Sequence, residues 1–290
     1  MAGGKPCHVS QRREIDARLA AIDEIRSVLG AMKNMALMET RKLTRFVGTQ
    51  RRVVQTAETA VADFLAFHPE LSVRPPKTTR EVWLLVGSER GFCGDFNEAL
   101  VEAVKARRSE PGALEACLIV VGYKLSSKLT DDLRVAARLD GAAVVEELDS
   151  VLMRLIKTLA EVNDGSAATR LTTFCHAPEG REVQVRILDP LQCRSQEIQR
   201  HRNPLVLNLS PPLLLARLAE HYLDVRLHDL FYGSLMAENV RRLQHMDAAV
   251  EHLQRQCDAL RLRRNALRQE EITEEIELIM LSAEALLLKH

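Results

Sequence analysis

The chain has 290 residues, of which 46% are hydrophobic and 28% are charged, and its formal net charge is zero. This length and apolar content predict one or two packed domains and exclude general disorder. A balanced charge does not favour general attraction to nucleic acid or anionic lipid. No apolar run approaches the roughly 18 residues that a membrane-spanning helix requires, and residues 1–10 carry no secretory signal pattern. We therefore expect an intracellular protein, or one held at a membrane only by other subunits.

The first predicted element, after a tail at residues 1–10, is one long helix over residues 11–67. Its apolar residues recur at steps of three and four, which is the spacing of a coiled-coil seam. A compact domain cannot bury so long a helix along its full length, so the helix needs a partner helix. The predicted seam residues are Ile15, Leu19, Ile22, Ile25, Leu29, Met32 and Ala36.

The spacing of the apolar residues changes after a proline-containing linker at residues 68–79. Strand-like runs alternate with helical patterns, which predicts a small α/β domain with a mostly parallel sheet over residues 80–207. The predicted strands are Glu81–Val86, Ala116–Val121, Arg170–Cys175 and Val183–Leu188, and the predicted helices are Asn97–Arg108 and Val144–Val162.

The last predicted element is a helix over residues 208–290, with Ser210 as its N-cap. Because both ends of the chain carry seams, we expect them to wind into an antiparallel coiled coil, with a central Rossmann-like α/β domain between them. The second helix is longer, so part of it should project beyond the first. The predicted seam residues of this helix are Leu243, Met246, Val250, Leu253, Cys257 and Leu260.

The glycine-containing loop Gly87–Gly94 follows a predicted strand and precedes a predicted helix, where a phosphate loop could form. Its spacing is not G-x-G-x-x-G, and the pattern G-x-x-x-x-G-K-S/T is absent from the sequence. We therefore favour a tight strand-to-helix turn capped by Asp95 or Asn97. A nucleotide-binding enzyme with helical arms stays open as the alternative.

Histidine and cysteine spacing predicts neither a metal site nor a cofactor. The closest histidine pairs on helices are seven residues apart, about 10 Å, which is too far for one zinc ion. The six cysteines are scattered and form no C-x-x-C pair, which predicts free and mostly buried thiols. We interpret the neighbours Cys175 and His176 as a buried strand pair rather than a nucleophilic dyad.

A basic run followed by an acidic run occupies the last helix between Arg261 and Glu277. A solvated face with i,i+4 ion pairs explains most of these residues, and an electrostatic contact surface is the alternative. Because acidic residues interleave with basic ones and no recognition module is visible, nucleic-acid binding is not favoured. Met32, Met35 and Met38 fit either core packing or an adaptable surface against a partner. A coiled-coil scaffold is a further alternative for the whole chain.

Three groups of motifs carry a resemblance to one family. Residues 31–36 with Arg41 resemble A-M-K/E-M-V-A-A-x-K-L/M-R, and residues 88–97 resemble S-D-R-G-L-C-G-x-F-N. The last helix fits S-x-x-x-E-x-x-x-R-M-x-x-M and L-x-L-x-x-N-x-x-R-Q-x-x-I-T-x-E. These patterns are similar to those of gamma subunits of F-type ATP synthases. The residues that fit in the last helix are Ser234, Glu238, Arg242, Met246, Leu260, Leu262, Asn265, Arg268, Gln269, Ile272, Thr273 and Glu275.

The sequence also departs from the family pattern at several positions. Leu29 and Gly30 stand where the family usually has Thr-Lys, and Glu89 replaces an aspartate. Leu278 stands where a glutamate is usual. These departures indicate a divergent branch of the family.

The resemblance implies a rotor shaft of two paired helices inside a ring of alpha and beta subunits, with the α/β domain near the epsilon subunit and the c-ring. Ion flow through the c-ring would turn the shaft and bias the catalytic beta subunits towards ATP synthesis or hydrolysis. The resemblance implies no catalytic site, no cofactor, no nucleic acid and no small-molecule substrate for this chain itself. It places the chain at the cytoplasmic face of a membrane, through the complex, and in a bacterium.

The resemblance also implies roles for individual residues. Contacts with the alpha–beta ring are expected from Met32, Lys33, Met35, Arg41, Arg268, Gln269, Thr273 and Glu275. The turn of the foot domain is expected at Arg90, Gly91, Gly94 and Asn97. The seam of the shaft is expected at Ile22, Leu243, Met246, Val250 and Leu253. The tip, Leu286–Leu288, is expected to sit in an apolar bearing.

Overall fold

The structure, a computed structural model, describes residues 8–71, 79–110, 116–129, 134–162, 168–178, 182–192 and 207–287. Most of the predicted tail at residues 1–10 and most of the predicted linker at residues 68–79 lie outside these ranges. Of the predicted tip, Leu288 and the side chains of Leu286 and Leu287 also lie outside the described part.

Five helices and five strands make up the described part of the chain. The helices are α1 (His8–Phe67), α2 (Phe96–Arg108), α3 (Tyr123–Ser126), α4 (Leu148–Val162) and α5 (Pro211–Leu287). The strands are β1 (Thr79–Val86), β2 (Cys117–Val121), β3 (Val135–Leu139), β4 (Ala168–His176) and β5 (Val183–Leu188). Among the described helices, none has an 18-residue segment apolar enough to cross a membrane.

The chain divides into two compact units, and each long helix contributes to both. The helical unit comprises Met1–Met35 and Gln244–His290, and the sheet unit comprises Ala36–Leu243. The change from one unit to the other falls inside α1 and inside α5, where the sequence gives no sign of a boundary.

In the helical unit, the beginning of α1 packs antiparallel against the end of α5. Arg12 lies 2.7 Å from Glu271, and Lys33 forms an ion pair with Asp247. Residues later in α1 therefore contact residues earlier in α5. The predicted antiparallel pairing is confirmed. One apolar cluster of this unit consists of Ile15, Leu19, Cys257 and Leu267, with Ile22 and Leu260 partly buried against it.

The inward positions of α1 recur at alternating steps of four and three residues, even where the residue at such a position is not apolar. After Ile22 the next inward position is Arg26, which is half-buried, whereas Ile25 is 50% exposed. The prediction that Ile25 lies in the seam is therefore wrong. A coiled coil keeps facing its partner only if the heptad phase is kept, and that constraint outweighs the hydrophobicity of one side chain.

The seam of α5 keeps the same heptad phase beyond Leu260 and becomes polar. Its next inward positions are Arg264, Leu267 and Glu271. Arg264 lies 3.5 Å from Asp16 across the pair. Polar residues at seam positions specify register at some cost in stability, so the ion pairs fix how α1 and α5 align in this unit.

The sheet unit contains one five-stranded sheet in the order β3-β2-β1-β4-β5. All neighbouring strands are parallel except β4 and β5, which are antiparallel. The predicted mostly parallel sheet is confirmed. Strand β3 was not predicted, because its sequence VAARL alternates half-buried and exposed residues at an edge and contains too few large apolar side chains.

Both faces of the sheet are covered, as expected for parallel strands. On β1, Val82 and Leu84 belong to a core shared with α4 and with buried residues of α5. Trp83 and Leu85 belong to the opposite core, which is shared with α2. The carboxyl end of β1 is therefore held firmly from both sides.

The corrected seam gives a direct test of the helical unit. Leu19→Ala should lower the free energy of unfolding of this unit by about 2–4 kcal/mol, because it opens a cavity at a residue that is 7% exposed. Ile25→Ala is the matched control and should cost less than about 1 kcal/mol. Urea unfolding followed by circular dichroism measures both, and equal losses would contradict the corrected seam.

Candidate functional site

The loop between β1 and α2 has a tightly turned backbone. Phe92 has φ of 63° and Gly94 has φ of 61°, a region that residues with a side chain rarely adopt. Phe92 takes this conformation with its ring 52% exposed. The structure thus places the predicted foot-domain residues Arg90, Gly91 and Gly94 on one turn at the carboxyl end of β1.

Asn97 ties the two ends of this turn together. Its Oδ1 accepts the Ser88 N–H at 3.0 Å, and its Nδ2 donates to Ser88 Oγ at 2.8 Å. Asp95 occupies the N-cap position of α2, yet its side chain makes no capping hydrogen bond. The prediction is right about the position of Asp95 but not about a capping hydrogen bond from its side chain. Asn97 is not the cap, because it lies inside the first turn and points back to the start of the loop.

Arg242 of α5 reaches this loop from another part of the chain. Its Nε donates to the Gly91 carbonyl oxygen at 3.2 Å, and its Nη2 lies 3.4 Å from Cys93 Sγ. The same guanidinium donates to Asn239 Oδ1 at 2.9 Å and to the carboxylate of Glu238. Arg242 therefore has an acceptor for each of its three nitrogens although it is only 6% exposed.

Glu238 provides the acidic group in this contact between α5 and the loop. It is 3% exposed, and its Oε1 accepts the Arg90 N–H at 3.5 Å. Burial raises the pKa of Glu238 above its ordinary value, while the charge of Arg242 and the loop hydrogen bonds oppose this shift. We call Glu238, Arg242 and the loop groups that they bind the loop anchor.

The loop anchor lies at the edge of the sheet where ligands usually bind in open α/β folds. In such sheets the binding crevice opens at the carboxyl ends of the strands where the strand order reverses, which here is between β1 and β4. Helix α5 lies at this edge: Ser234 Oγ donates to the Val86 carbonyl oxygen at 3.3 Å, and a Cβ at Gly233 would lie 3.3 Å from Pro178. Glu238 accepts a loop amide, the Arg90 N–H, at this edge.

Cys93 is enclosed by the loop anchor. Burial and the neighbouring charge of Glu238 raise the pKa of its thiol to about 12, although Arg242 acts in the opposite direction. Because the thiolate is the reactive form, Cys93 stays a protonated thiol near neutral pH. Four cysteines in the described part of the chain are free and buried, namely Cys93, Cys117, Cys175 and Cys257.

The neighbouring pair on β4 is a buried strand pair, as predicted. His176 Nε2 lies 2.8 Å from the Phe96 carbonyl oxygen, and the two rings stack with centroids 3.9 Å apart. Burial lowers the pKa of His176, so the ring is neutral and holds the start of α2 against β4. Within the described residues, no group of three or more His, Cys, Asp or Glu side chains could hold a metal ion.

The predicted contacts with a ring of partner subunits lie on the surface of α1 and α5. In the helical unit, Met35 is 56% exposed, Met32 is half-buried, and Lys33 is held by Asp247. In the sheet unit, Arg41 is exposed. The predicted contact residues of α5 are all exposed: Arg268, Gln269, Thr273 and Glu275.

The predicted seam residues divide between the two units. In the helical unit, Met246 is fully buried, and Ile22, Val250 and Leu253 are half-buried. Leu243 is half-buried in the sheet unit. Beyond Glu271, every residue of α5 whose side chain is described is exposed, including the large apolar residues Ile272, Ile276, Leu278, Ile279, Met280 and Leu281.

Sequence reasoning missed that the loop motif and the α5 motif meet in space. The signal was present in the spacing of Ser234, Glu238 and Arg242, since steps of four put all three on one face of a helix. These polar residues lie in a stretch whose other inward positions are mostly apolar, which is typical of a buried polar contact rather than a solvated face.

The fold and the loop anchor define a class of protein: a subunit with two long terminal helices and an α/β domain whose ligand edge is closed by its own chain. The family model described as ATP synthase matches residues 11–286, and the chain belongs to the ATP synthase gamma family. It is 25% identical to the ATP synthase gamma chain of Moorella thermoacetica over 96% of this chain and 100% of that one. The gamma chain of Pelotomaculum thermopropionicum is 24% identical, over 94% and 98%.

Solved structures share the fold at low sequence identity. A chain of the Euglena gracilis mitochondrial ATP synthase, solved as OSCP/F1/c-ring in rotational state 3, superposes with a TM-score of 0.67 at 13% identity and covers 96% of this chain and 95% of its own. A chain of the Tetrahymena thermophila mitochondrial ATP synthase central stalk and c-ring has a TM-score of 0.56 at 14% identity, over 77% and 99%. The predicted helix–α/β–helix fold is confirmed.

The loop anchor should dominate the stability of the sheet unit. Glu238→Ala leaves the Arg242 charge buried without its partner and should cost about 3–5 kcal/mol. Glu161→Ala removes an exposed i,i+4 pair with Lys157 and should change stability by less than about 1 kcal/mol. Urea unfolding followed by Trp83 fluorescence reports the sheet unit, since Trp83 is the only tryptophan. Equal effects of the two variants would contradict the anchor.

Cys93 should report the state of the loop anchor. In the native chain its alkylation by iodoacetamide at pH 8 should be slow, because the thiol is buried and its pKa is raised. Glu238→Gln removes the carboxylate charge that raises this pKa and should speed labelling by about tenfold. Peptide mapping by mass spectrometry measures the rate, with buried Cys175 as the internal control. A matching increase at Cys175 would indicate general unfolding instead.

Proposed function

We propose that this chain is the rotating central stalk of an F-type ATP synthase. In this role it couples ion flow through a membrane c-ring to ATP synthesis or hydrolysis in a ring of alpha and beta subunits. The observation that carries the proposal is the family match over residues 11–286, joined to relatives that are gamma chains along nearly their full length. The epsilon subunit and the c-ring are the expected partners of the sheet unit.

The mechanical part of the proposal rests on the paired helices. A rotor that biases catalytic sites must carry differential contacts to its surroundings rather than reactive groups. In the helical unit, the ion pairs of Arg12 with Glu271 and of Arg264 with Asp16 resist sliding of one helix along the other. The helix beyond Glu271 exposes both apolar and charged side chains, which suits contacts with a surrounding protein surface.

We also propose that the chain has no catalytic site of its own. The support is the loop anchor, because α5 occupies the sheet edge where a nucleotide would bind and Glu238 takes up a loop amide. A nucleotide phosphate at this position would have to displace a buried, paired carboxylate. The rival interpretation of a nucleotide-binding enzyme is disfavoured on this ground.

The division of labour along the chain and its location are parts of the same proposal. Residues 11–67 and 208–290 would form the shaft, and residues 80–207 the foot that meets the c-ring. The chain would lie at the cytoplasmic face of a bacterial membrane, held there only by the complex. The bacterial origin of the similar gamma chains supports this location.

Co-expression with the alpha and beta subunits of the same organism tests the proposal. We expect a pulled-down assembly that contains three alpha, three beta and one copy of this chain, because a single shaft fills the axis of a closed ring. Native mass spectrometry gives the stoichiometry. Stable self-association of the chain without binding to either subunit would contradict the proposed rotor function and favour a coiled-coil scaffold.

The exposed residues near the end of α5 should affect turnover without affecting folding. Arg268→Ala should lower the ATP hydrolysis rate of the assembled complex by about fivefold, as expected for the loss of roughly 1 kcal/mol at a charged contact. Arg263→Ala is the matched control, because Arg263 is equally exposed and outside the family pattern. If Arg263→Ala slows turnover as much as Arg268→Ala, the assigned contact residues are wrong.

A further inference from the structure

A polar cavity in the sheet unit lies apart from the loop anchor's charged pair. It has a volume of about 310 Å³ and is lined by residues of α1, β4, β5 and α5. This volume is at the lower end of the range for small-molecule sites. The cavity plays no part in the rotary role proposed above, so its occupant is a separate question.

Three arginines from three different elements line the cavity. They are Arg51 of α1, Arg186 of β5 and Arg226 of α5. Two acidic residues, Glu58 and Asp229, line it as well, so the charged lining sums to three positive and two negative groups, a net charge of +1. The cavity therefore presents a small excess of positive charge within a partly enclosed space.

Both acidic residues are paired with the same arginine. Arg226 donates to the Glu58 carboxylate and lies 3.8 Å from Asp229. Its Nε is buried and has no hydrogen-bond acceptor among the described residues. The acidic charge of the lining is thus taken up by one guanidinium.

The other two arginines are left for a ligand. Among the described residues, neither Arg51 nor Arg186 has an acidic side chain within ion-pair distance, and both are exposed. Gln55 and Gln184 add amide groups to the same lining. Arginines from separate elements that converge without carboxylate partners supply planar donors that match tetrahedral oxyanions.

We propose that this cavity binds a phosphate group, either free inorganic phosphate or the terminal phosphate of a nucleotide. Arg51 and Arg186 hold two of its oxygens. Carboxylates suit a single guanidinium fork, whereas guanidinium groups on separate walls of a cavity match the additional oxygens of a phosphate. The proposal does not depend on the rotary function.

Isothermal titration calorimetry on the full chain tests the site, with sodium phosphate as the ligand and sodium chloride at matched ionic strength as the reference. We expect saturable phosphate binding that chloride does not reproduce. Arg51→Gln and Arg186→Gln should each weaken it about tenfold, the usual effect of losing a charged hydrogen bond. Arg52→Gln is the control, since Arg52 is exposed on the same helix and does not line the cavity.

A parallel titration with ADP identifies the source of the phosphate. Tighter binding of ADP than of phosphate, lost in the same two variants, assigns the site to a nucleotide, and binding of phosphate alone assigns it to the free ion. Either result supports the site. Absence of saturable binding at millimolar phosphate, equal heats with chloride, or unchanged affinity in both variants overturns it. Circular dichroism of each variant verifies that the fold is retained.

Discussion

The structure of the sheet unit depends on one buried ion pair. Glu238 and Arg242 are almost fully removed from water, and such a pair is tolerated only when every remaining donor and acceptor is satisfied. The loop after β1 supplies those groups through the Arg90 N–H, the Gly91 carbonyl and Cys93. The ion pair and the loop therefore stabilise each other. Side chains of α5 hold the loop in its conformation, and the polar groups of the loop stabilise the two buried charges of α5.

This mutual stabilisation explains why a Rossmann-like sheet can have a mechanical role. In a nucleotide-binding domain, the edge at the carboxyl ends of the strands is left open for a ligand. Here Ser234 binds the last carbonyl of β1, and the anchor closes the loop beside it. The Arg90 N–H and the Gly91 carbonyl oxygen bind side chains of α5, so hydrogen bonds join the loop to this segment of α5.

The helical unit is governed by the heptad phase. The inward positions of α1 and α5 recur with strict alternation, even where this puts Arg26, Arg264 or Glu271 into the seam. Residues of this kind weaken a coiled coil compared with leucine, yet they allow only one alignment of the two helices. A rotating part benefits from a single alignment, since slippage would change which residues it presents to its surroundings.

The sequence was sufficient for the architecture and insufficient for the anchor. Long-range periodicity located α1 and α5, and apolar runs located β1, β2, β4 and β5. Strand β3 was not predicted because edge strands with half-buried residues have a weak hydrophobic pattern. Ile25 was placed in the seam because hydrophobicity was weighed above phase.

The anchor escaped prediction for a different reason. Glu238 and Arg90 are 148 residues apart, and no local pattern reports a contact over that distance. Only their membership in two motifs of one family linked them, without showing that they touch. The exposed residues assigned to partner subunits, such as Arg268 and Thr273, stay predictions because their test lies in the assembled complex.

A double-mutant cycle on the loop anchor tests the central claim most directly. Urea unfolding monitored by Trp83 fluorescence would be compared for the native chain, Glu238→Gln, Arg242→Gln and the double variant. If the two residues act as one buried unit, the second substitution adds little to the first, and their coupling energy is about 2 kcal/mol or more. Additive effects, within about 0.5 kcal/mol, would show that the pair does not hold the loop to α5.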